Sequence, residues 1–147
     1  MSENNILDTA KPLGFGTELE YTHISREGAA RAIQSVVGGT IRHPGGGYDE
    51  WTVYADDGKK WKAVSDGSLG SRATSAEVVT PFLHWSDLDT LQKVVRALRR
   101  AGARTPACTS QHVHIGVEDF LSYIELKAKN IAISSTIDSL LTNCALN

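Results

Sequence analysis

Hydrophobic and polar positions alternate strictly from Gly14 to Thr22: Phe15, Thr17, Leu19 and Tyr21 fall on one side, Gly16, Glu18, Glu20 and Thr22 on the other. A period of two predicts a strand with an apolar face and a carboxylate face. The period then lengthens. After Ser25, a residue suited to an N-cap, Ala29, Ala30, Ile33, Val36 and Val37 form a helical stripe that Gly38-Gly39 stops. A short strand around Thr40 to Arg42 is expected to run into a flexible loop at Pro44 to Gly47. Trp51 to Ala55 and Trp61 to Ser65 are β segments joined by Asp56-Asp57-Gly58-Lys59, a hairpin turn. Asp66-Gly67-Ser68 opens a Gly/Ser-rich loop that reaches Ser75, and Glu77 to Thr80 reads as a strand closed by Pro81. Ser86 with Asp89 resembles a capping box ahead of an amphipathic helix marked by Leu88, Leu91, Val95 and Leu98 and ended by Gly102. Gln111 to Val117 is a strand with His112 and His114 on one side, Val113 and Ile115 on the other. From about Phe120 the pattern is helical, with a break near Ser134-Ser135, whereas residues 1–11 are polar and expected to be flexible.

Strands that arrive in hairpins rather than in strict strand–helix alternation predict an α+β fold, a largely antiparallel sheet with helices packed on one face. The opposite face of that sheet then holds Glu18, Glu20, Glu77, His112 and His114. With 147 residues and no internal repeat, one domain spanning 1–147 is expected.

Composition narrows the function classes. The apolar fraction of 41% and charged fraction of 22% are those of a globular chain. A formal net charge of −2 argues against non-specific adhesion to nucleic acid or membrane. No apolar run approaches a membrane span, and the N-terminus has neither the basic start nor the apolar core of a signal peptide, so a cytoplasmic protein is expected. Cys108 and Cys144 are too far apart for a metal-type spacing, which fits reduced thiols. Cys108 lies close before the histidine strand, yet nothing near it lowers a thiol pKa, and a buried structural cysteine is expected. The exposed side of the second helix carries Lys93, Arg96, Arg99 and Arg100, with Arg104 just beyond, and reads as a solvated face with favourable charge near the helix C-terminus.

Glu18 and Glu20 sit roughly 6.6 Å apart along one strand face. Two carboxylates held that close invite a cation or a proton between them. Glutamates are hard oxygen ligands suited to magnesium or manganese, and a neutral imidazole accepts manganese or zinc. His112-Val113-His114 on its own is weak evidence for zinc, because no third ligand is nearby in sequence. The chain has no phosphate-binding Gly-x-x-x-x-Gly-Lys loop and no Gly-x-Ser-x-Gly elbow.

Five stretches, FGTELEYTHISREGAA, YDEWTVYADDGKKWKAVSDGSL, AEVVTPFL, LQKVVRALRRAGA and QHVHIG, occur in the order and spacing of the amidoligase family. That family belongs with the glutamine synthetase-like and glutamate–cysteine ligase-like carboxylate–amine ligases. The resemblance covers roughly residues 13–142, nearly the whole chain. It implies a curved antiparallel sheet, part of a glutamine synthetase-like catalytic domain. Into its bowl point side chains that hold about two magnesium ions and ATP. By the same resemblance Glu18, Glu20, Glu77 and His112 are metal ligands, Glu18 and Glu20 on different ions. His114 faces the nucleotide phosphates, and Glu18, Glu20, Glu77, His112 and His114 together make the catalytic set. Asp66 and Ser68 lie on the loop that approaches the acceptor site in related ligases, and Lys62 is a candidate partner for a phosphate or carboxylate of the substrate. The implied reaction passes through an acyl phosphate to an amide on a peptide, protein or cell-wall substrate.

Two departures stand out. Where family members read Cys-Gly-x-His-x-His, Thr109 and Ser110 fill the first two places. Family members also continue with further strands that bring arginines and another acidic residue to the phosphates, whereas this chain stops at Asn147. A sheet left open there has an edge that a second copy or a protein partner would cover. Two functions therefore stand side by side: a shortened ATP-dependent amidoligase, and a binding module derived from one that docks on another macromolecule, such as a phage or mobile-element inhibitor.

Overall fold

The structure, a computed structural model, describes residues 11–116. Six strands form one open antiparallel sheet: β1 (Phe15–Thr22), β2 (Thr40–Gly45), β3 (Glu50–Tyr54), β4 (Lys60–Val64), β5 (Ser75–Val79) and β6 (Gln111–Ile115), in spatial order β2-β3-β4-β5-β1-β6. Two helices, α1 (Arg26–Val37) and α2 (Leu88–Arg100), complete the described fold. The expected α+β class with an antiparallel sheet is what is found. The helices expected beyond Phe120, all but Lys11 of the stretch 1–11 expected to be flexible, and Cys144 lie outside the described residues.

Alternation decides which face of the sheet is covered. Leu19, Tyr21, Val53, Trp61, Ala63, Ala76 and Val78 point to one side and share a single core with both helices. Helix α1 faces the sheet with Ala29, Ala30, Ala32 and Ile33, small residues that let it lie close to β2–β5. Helix α2 packs against α1 and buries Leu88, Leu91, Val94, Val95, Ala97 and Leu98. Trp61, 1% exposed, is the largest side chain in this core.

The local signals at α1 work as expected. Ser25 Oγ accepts the Gly28 N–H at 3.0 Å, and Gly38 and Gly39 take φ of 68° and 79° to end the helix. Gly39 has a second reason to lack a side chain, because a Cβ there would fall 1.8 Å from the Tyr54 carbonyl oxygen. In the β3–β4 hairpin, Gly58 adopts φ 83° and Asp57 accepts the Lys59 N–H.

Four expectations need correction. The strand at Thr40 does not give way to a loop at Pro44 but continues to Gly45, with a register shift between Arg42 and Gly45 that absorbs the proline. The Gly/Ser-rich loop contains a 3₁₀ turn, Gly67–Leu69, capped by Asp66. Helix α2 is introduced by another 3₁₀ turn, Trp85–Asp87, and the capping box is His84 with Asp87 rather than Ser86 with Asp89. Cys108 is exposed rather than buried, since it lies in the irregular segment before β6.

Arg26, the first residue of α1, ties the loops at one end of the sheet together. Its buried guanidinium pairs with Asp49 at 2.6 Å and donates to the carbonyls of Arg72 and Ser75. Asp49 in turn accepts from His43, whose ring stacks on Trp51 at 4.2 Å.

Candidate functional site

The face away from the helices is built by register. One cross-strand row runs Arg42, Thr52, Lys62, Val79, Glu18, His112 across all six strands. The neighbouring row places Val64 beside Glu77 and Glu77 opposite Glu20. On the other side of the first row, Gly16 pairs with His114. All five residues expected on this face are therefore together on it.

Glu20 and Glu77 are directly opposite, a like-charge pairing that normally destabilises a sheet. Glu20 is 7% exposed, and its carboxylate accepts the Ser110 N–H at 2.7 Å. The donor is backbone, so the change from glycine to serine at this position leaves the contact available. Glu18 is shared by the two imidazoles, with His112 Nδ1 at 3.1 Å from Oε2 and His114 Nε2 at 3.4 Å from Oε1.

Charge crowding shows most clearly at Glu77. Burial pushes its carboxyl up, and the nearby charges of Glu18, Asp66 and Glu20 push it further, to about 7. A hydrogen bond to Asp66 adds to the effect, which means that Glu77 is the member of this pair that keeps the proton. Asp66 moves the opposite way: hydrogen bonds from Ser68, including the backbone N–H at 2.5 Å, hold its carboxyl below the usual range. The 3₁₀ turn thus delivers Asp66 to the carboxylate cluster itself. Ser68 is exposed and donates from its backbone and side chain to Asp66, the N-cap of that turn. Lys62 stands two strands from Glu18 and pairs with Glu50 at 3.2 Å, while Thr52 Oγ1 donates to the same carboxylate.

Each carboxylate in the cluster is turned to its own partner: Glu18 to imidazoles, Glu20 to a backbone N–H, Glu77 to Asp66. Among the described residues, accordingly, no three His, Cys, Asp or Glu side chains converge as a metal-holding group.

The sequence reading did not single out Phe82 as a site residue. Its ring is 56% exposed and covers Gly14 and Gly116, where a Cβ would fall 2.0 Å and 3.0 Å from ring carbons. Gly116 donates its N–H to Gly14 O, so the two continue the Gly16–His114 alternation and the ring sits at the end of the polar face. An exposed phenylalanine after a proline carries no local sign of this role; the paired glycines do, once the register is known. Glu50, Arg42, Tyr54 and Lys60 were also not singled out; the turn between β3 and β4 sets Tyr54 opposite Lys60.

Comparison with known proteins agrees with the motif order. The family model described as "Putative amidoligase enzyme" matches residues 11–138, while no curated protein and no solved structure matches the chain. The match extends over most of the 147 residues and includes every strand of the sheet and both described helices. The chain belongs to the amidoligase family.

Proposed function

We propose that the chain is an ATP- and magnesium-dependent carboxylate–amine ligase domain that acts on a peptide, protein or cell-wall substrate. The observation that carries this reading is the concentration of Glu18, Glu20, Glu77 and Asp66 on one sheet face, crowded enough for Glu77 to keep a proton up to about 7. Burial is the largest cause of that shift, but the share that comes from Glu18, Asp66 and Glu20 is relieved by a cation as well as by a proton.

The donor set fits magnesium. That ion asks for one or two carboxylates, several waters and substrate phosphates rather than an all-protein cage. Glu18, Glu20, Glu77 and His112 are the residues that would hold about two such ions, Glu18 and Glu20 on different ones, with Glu77 giving up its proton and Glu18 releasing an imidazole. When bound, magnesium neutralises charge on the phosphoryl oxygens. The chain's own groups do the remaining work: His114, at the rim, faces the phosphates, and the Phe82 ring offers a stacking surface for an aromatic base. In the reaction a substrate carboxylate oxygen bonds to the γ-phosphorus as the bond to ADP breaks. An amine nitrogen then bonds to the acyl carbon, phosphate leaves, and the nitrogen loses a proton.

Isothermal titration with magnesium–ATP tests this directly. Wild-type protein should give a binding heat that Glu20→Ala abolishes, with thermal melts confirming that the variant is folded. Absence of heat from wild-type protein would overturn the ligase reading and leave the alternative, a domain that works by docking on another macromolecule.

A further inference from the structure

The polar face is sorted by charge. Carboxylates and imidazoles occupy β5, β1 and β6, while the other half, β2–β4, carries Arg42, Lys60 and Lys62 with a single acid, Glu50. Lys62 is paired with Glu50, but the other two bases are not engaged by any carboxylate among the described residues. Instead, both are exposed and converge on one ring: the Arg42 guanidinium lies 5.1 Å and the Lys60 ammonium 5.4 Å from the centroid of Tyr54. Cation–π attraction orients each base. The bases come from β2 and β4, the two strands that flank β3, and two unneutralised positive charges this close to one ring favour an anion beside them. Tyr54 stands directly opposite Lys60, so the ring and both bases share the face that holds Glu18 and Glu20.

We infer that Arg42, Tyr54 and Lys60 form a docking subsite for a carboxylate of an acidic peptide lying across the sheet toward Glu18 and Glu77. This rests on the ligase reading in naming the peptide as substrate. Geometry sets its length. Strand spacing of about 4.8 Å places β4 about 10 Å and β2 about 19 Å from β1. An extended peptide rises about 3.3 Å per residue, so the docked carboxylate sits about three to six residues from the group that reacts. The cluster at Glu18 repels carboxylates, whereas the basic strands attract them; the sorted face therefore sets the direction in which an acidic chain lies.

The test measures fluorescence anisotropy of labelled tetraglutamate and tetralysine at physiological ionic strength, with and without saturating magnesium–ATP. Wild-type protein should bind tetraglutamate and not tetralysine, and Arg42→Ala/Lys60→Ala should weaken binding by at least about tenfold, a loss of about 1.4 kcal/mol. Both residues are exposed, so the variant should melt with wild type. Arg96→Ala/Arg99→Ala/Arg100→Ala on α2 removes more positive charge from another surface and should leave binding unchanged. The inference is overturned if wild type does not bind tetraglutamate, or if the α2 variant loses as much as the double variant. Displacement by magnesium–ATP would assign the two bases to the nucleotide and overturn it equally. Binding that depends on Arg42 and Lys60 in a protein that gives no heat with magnesium–ATP would support the subsite while the ligase reading falls.

Discussion

Replacing Glu77 by glutamine removes a charge that the fold holds at a cost. In the unfolded chain this carboxyl titrates near its ordinary value of 4.5; in the fold, burial and the charges of Glu18 and Asp66 move it to about 7. The folded protein thus binds the proton more tightly. The resulting stabilisation is complete below 4.5, declines as pH rises, and is gone above about 7. Taken in full, that span corresponds to about 3 kcal/mol. Glu77 is only half-buried, and solvent screening reduces the figure to about 1–2 kcal/mol. Wild-type protein in EDTA should therefore lose about 3–8 °C of Tm between pH 5 and pH 8 relative to Glu77→Gln. At pH 8 the variant should be the more stable of the two, and near pH 4.5 the two should converge. The difference between the curves isolates Glu77 from every group that the two proteins share. Magnesium–ATP should reverse the ranking at pH 8, because the glutamine cannot supply the negative charge. Parallel Tm curves from pH 5 to pH 8 would refute the charge-crowding account. A nucleotide-induced rise equal in both proteins would remove Glu77 from the metal ligands.

Other predictions concern the frame around the site. Arg26→Ala strands two loop carbonyls and removes one partner of the part-exposed Asp49, and should cost about 1–3 kcal/mol in urea denaturation; a loss below about 0.5 kcal/mol would show that this tie is dispensable. Gly39→Ala places a Cβ against the Tyr54 carbonyl at a φ of 79°, and should cost at least about 2 kcal/mol by the same assay; a near-neutral result would mean that the α1–β3 contact can move apart. The exposed Cys108 thiol should react with a disulfide reagent in the folded protein at the rate of a free thiol, and protection until denaturant is added would contradict its exposure.

The parts of this fold that could be read from sequence are those fixed by neighbours in the chain. Ser25 and Gly38-Gly39 bracket α1 because capping is a matter of a few residues, and Asp57-Gly58 joins β3 to β4 for the same reason. The faces of β1 and β6 follow from alternation alone. Across-strand facts are different. That Glu20 faces Glu77, and Glu18 faces His112, depends on pairings 57 and 94 residues apart in sequence, which no local pattern fixes. The family resemblance groups these residues but puts Asp66 on the acceptor loop, whereas its arrival in the carboxylate cluster depends on a 3₁₀ turn hidden in a Gly/Ser-rich stretch. The start of α2 was misplaced for a related reason: His84 and Asp87 cap a 3₁₀ turn, and a capping box at Ser86 and Asp89 would begin inside it. Phe82 escaped because its partners, Gly14 and Gly116, become neighbours only when β1 and β6 pair.

Sorting of charge on the polar face distinguishes it from a merely solvated one. Solvated sheet faces intersperse signs, since opposite charges across a strand pair stabilise and like charges do not. Here, apart from Glu50 beside Lys62, the bases and the acids lie on different strands, and Glu20 faces Glu77. Glu20 is the clearest case: a surface carboxylate has no reason to be 7% exposed beside Glu77, where it accepts the Ser110 N–H. The fold thus retains an unfavourable arrangement that local changes such as Glu77→Gln would relieve. Residues kept in such positions against stability are those expected at sites where ligands supply the missing charge. The two halves of the face need opposite ligand charges: a cation among the carboxylates and an anion at Arg42 and Lys60. A metal–nucleotide complex and an acidic peptide, bound side by side, would satisfy both.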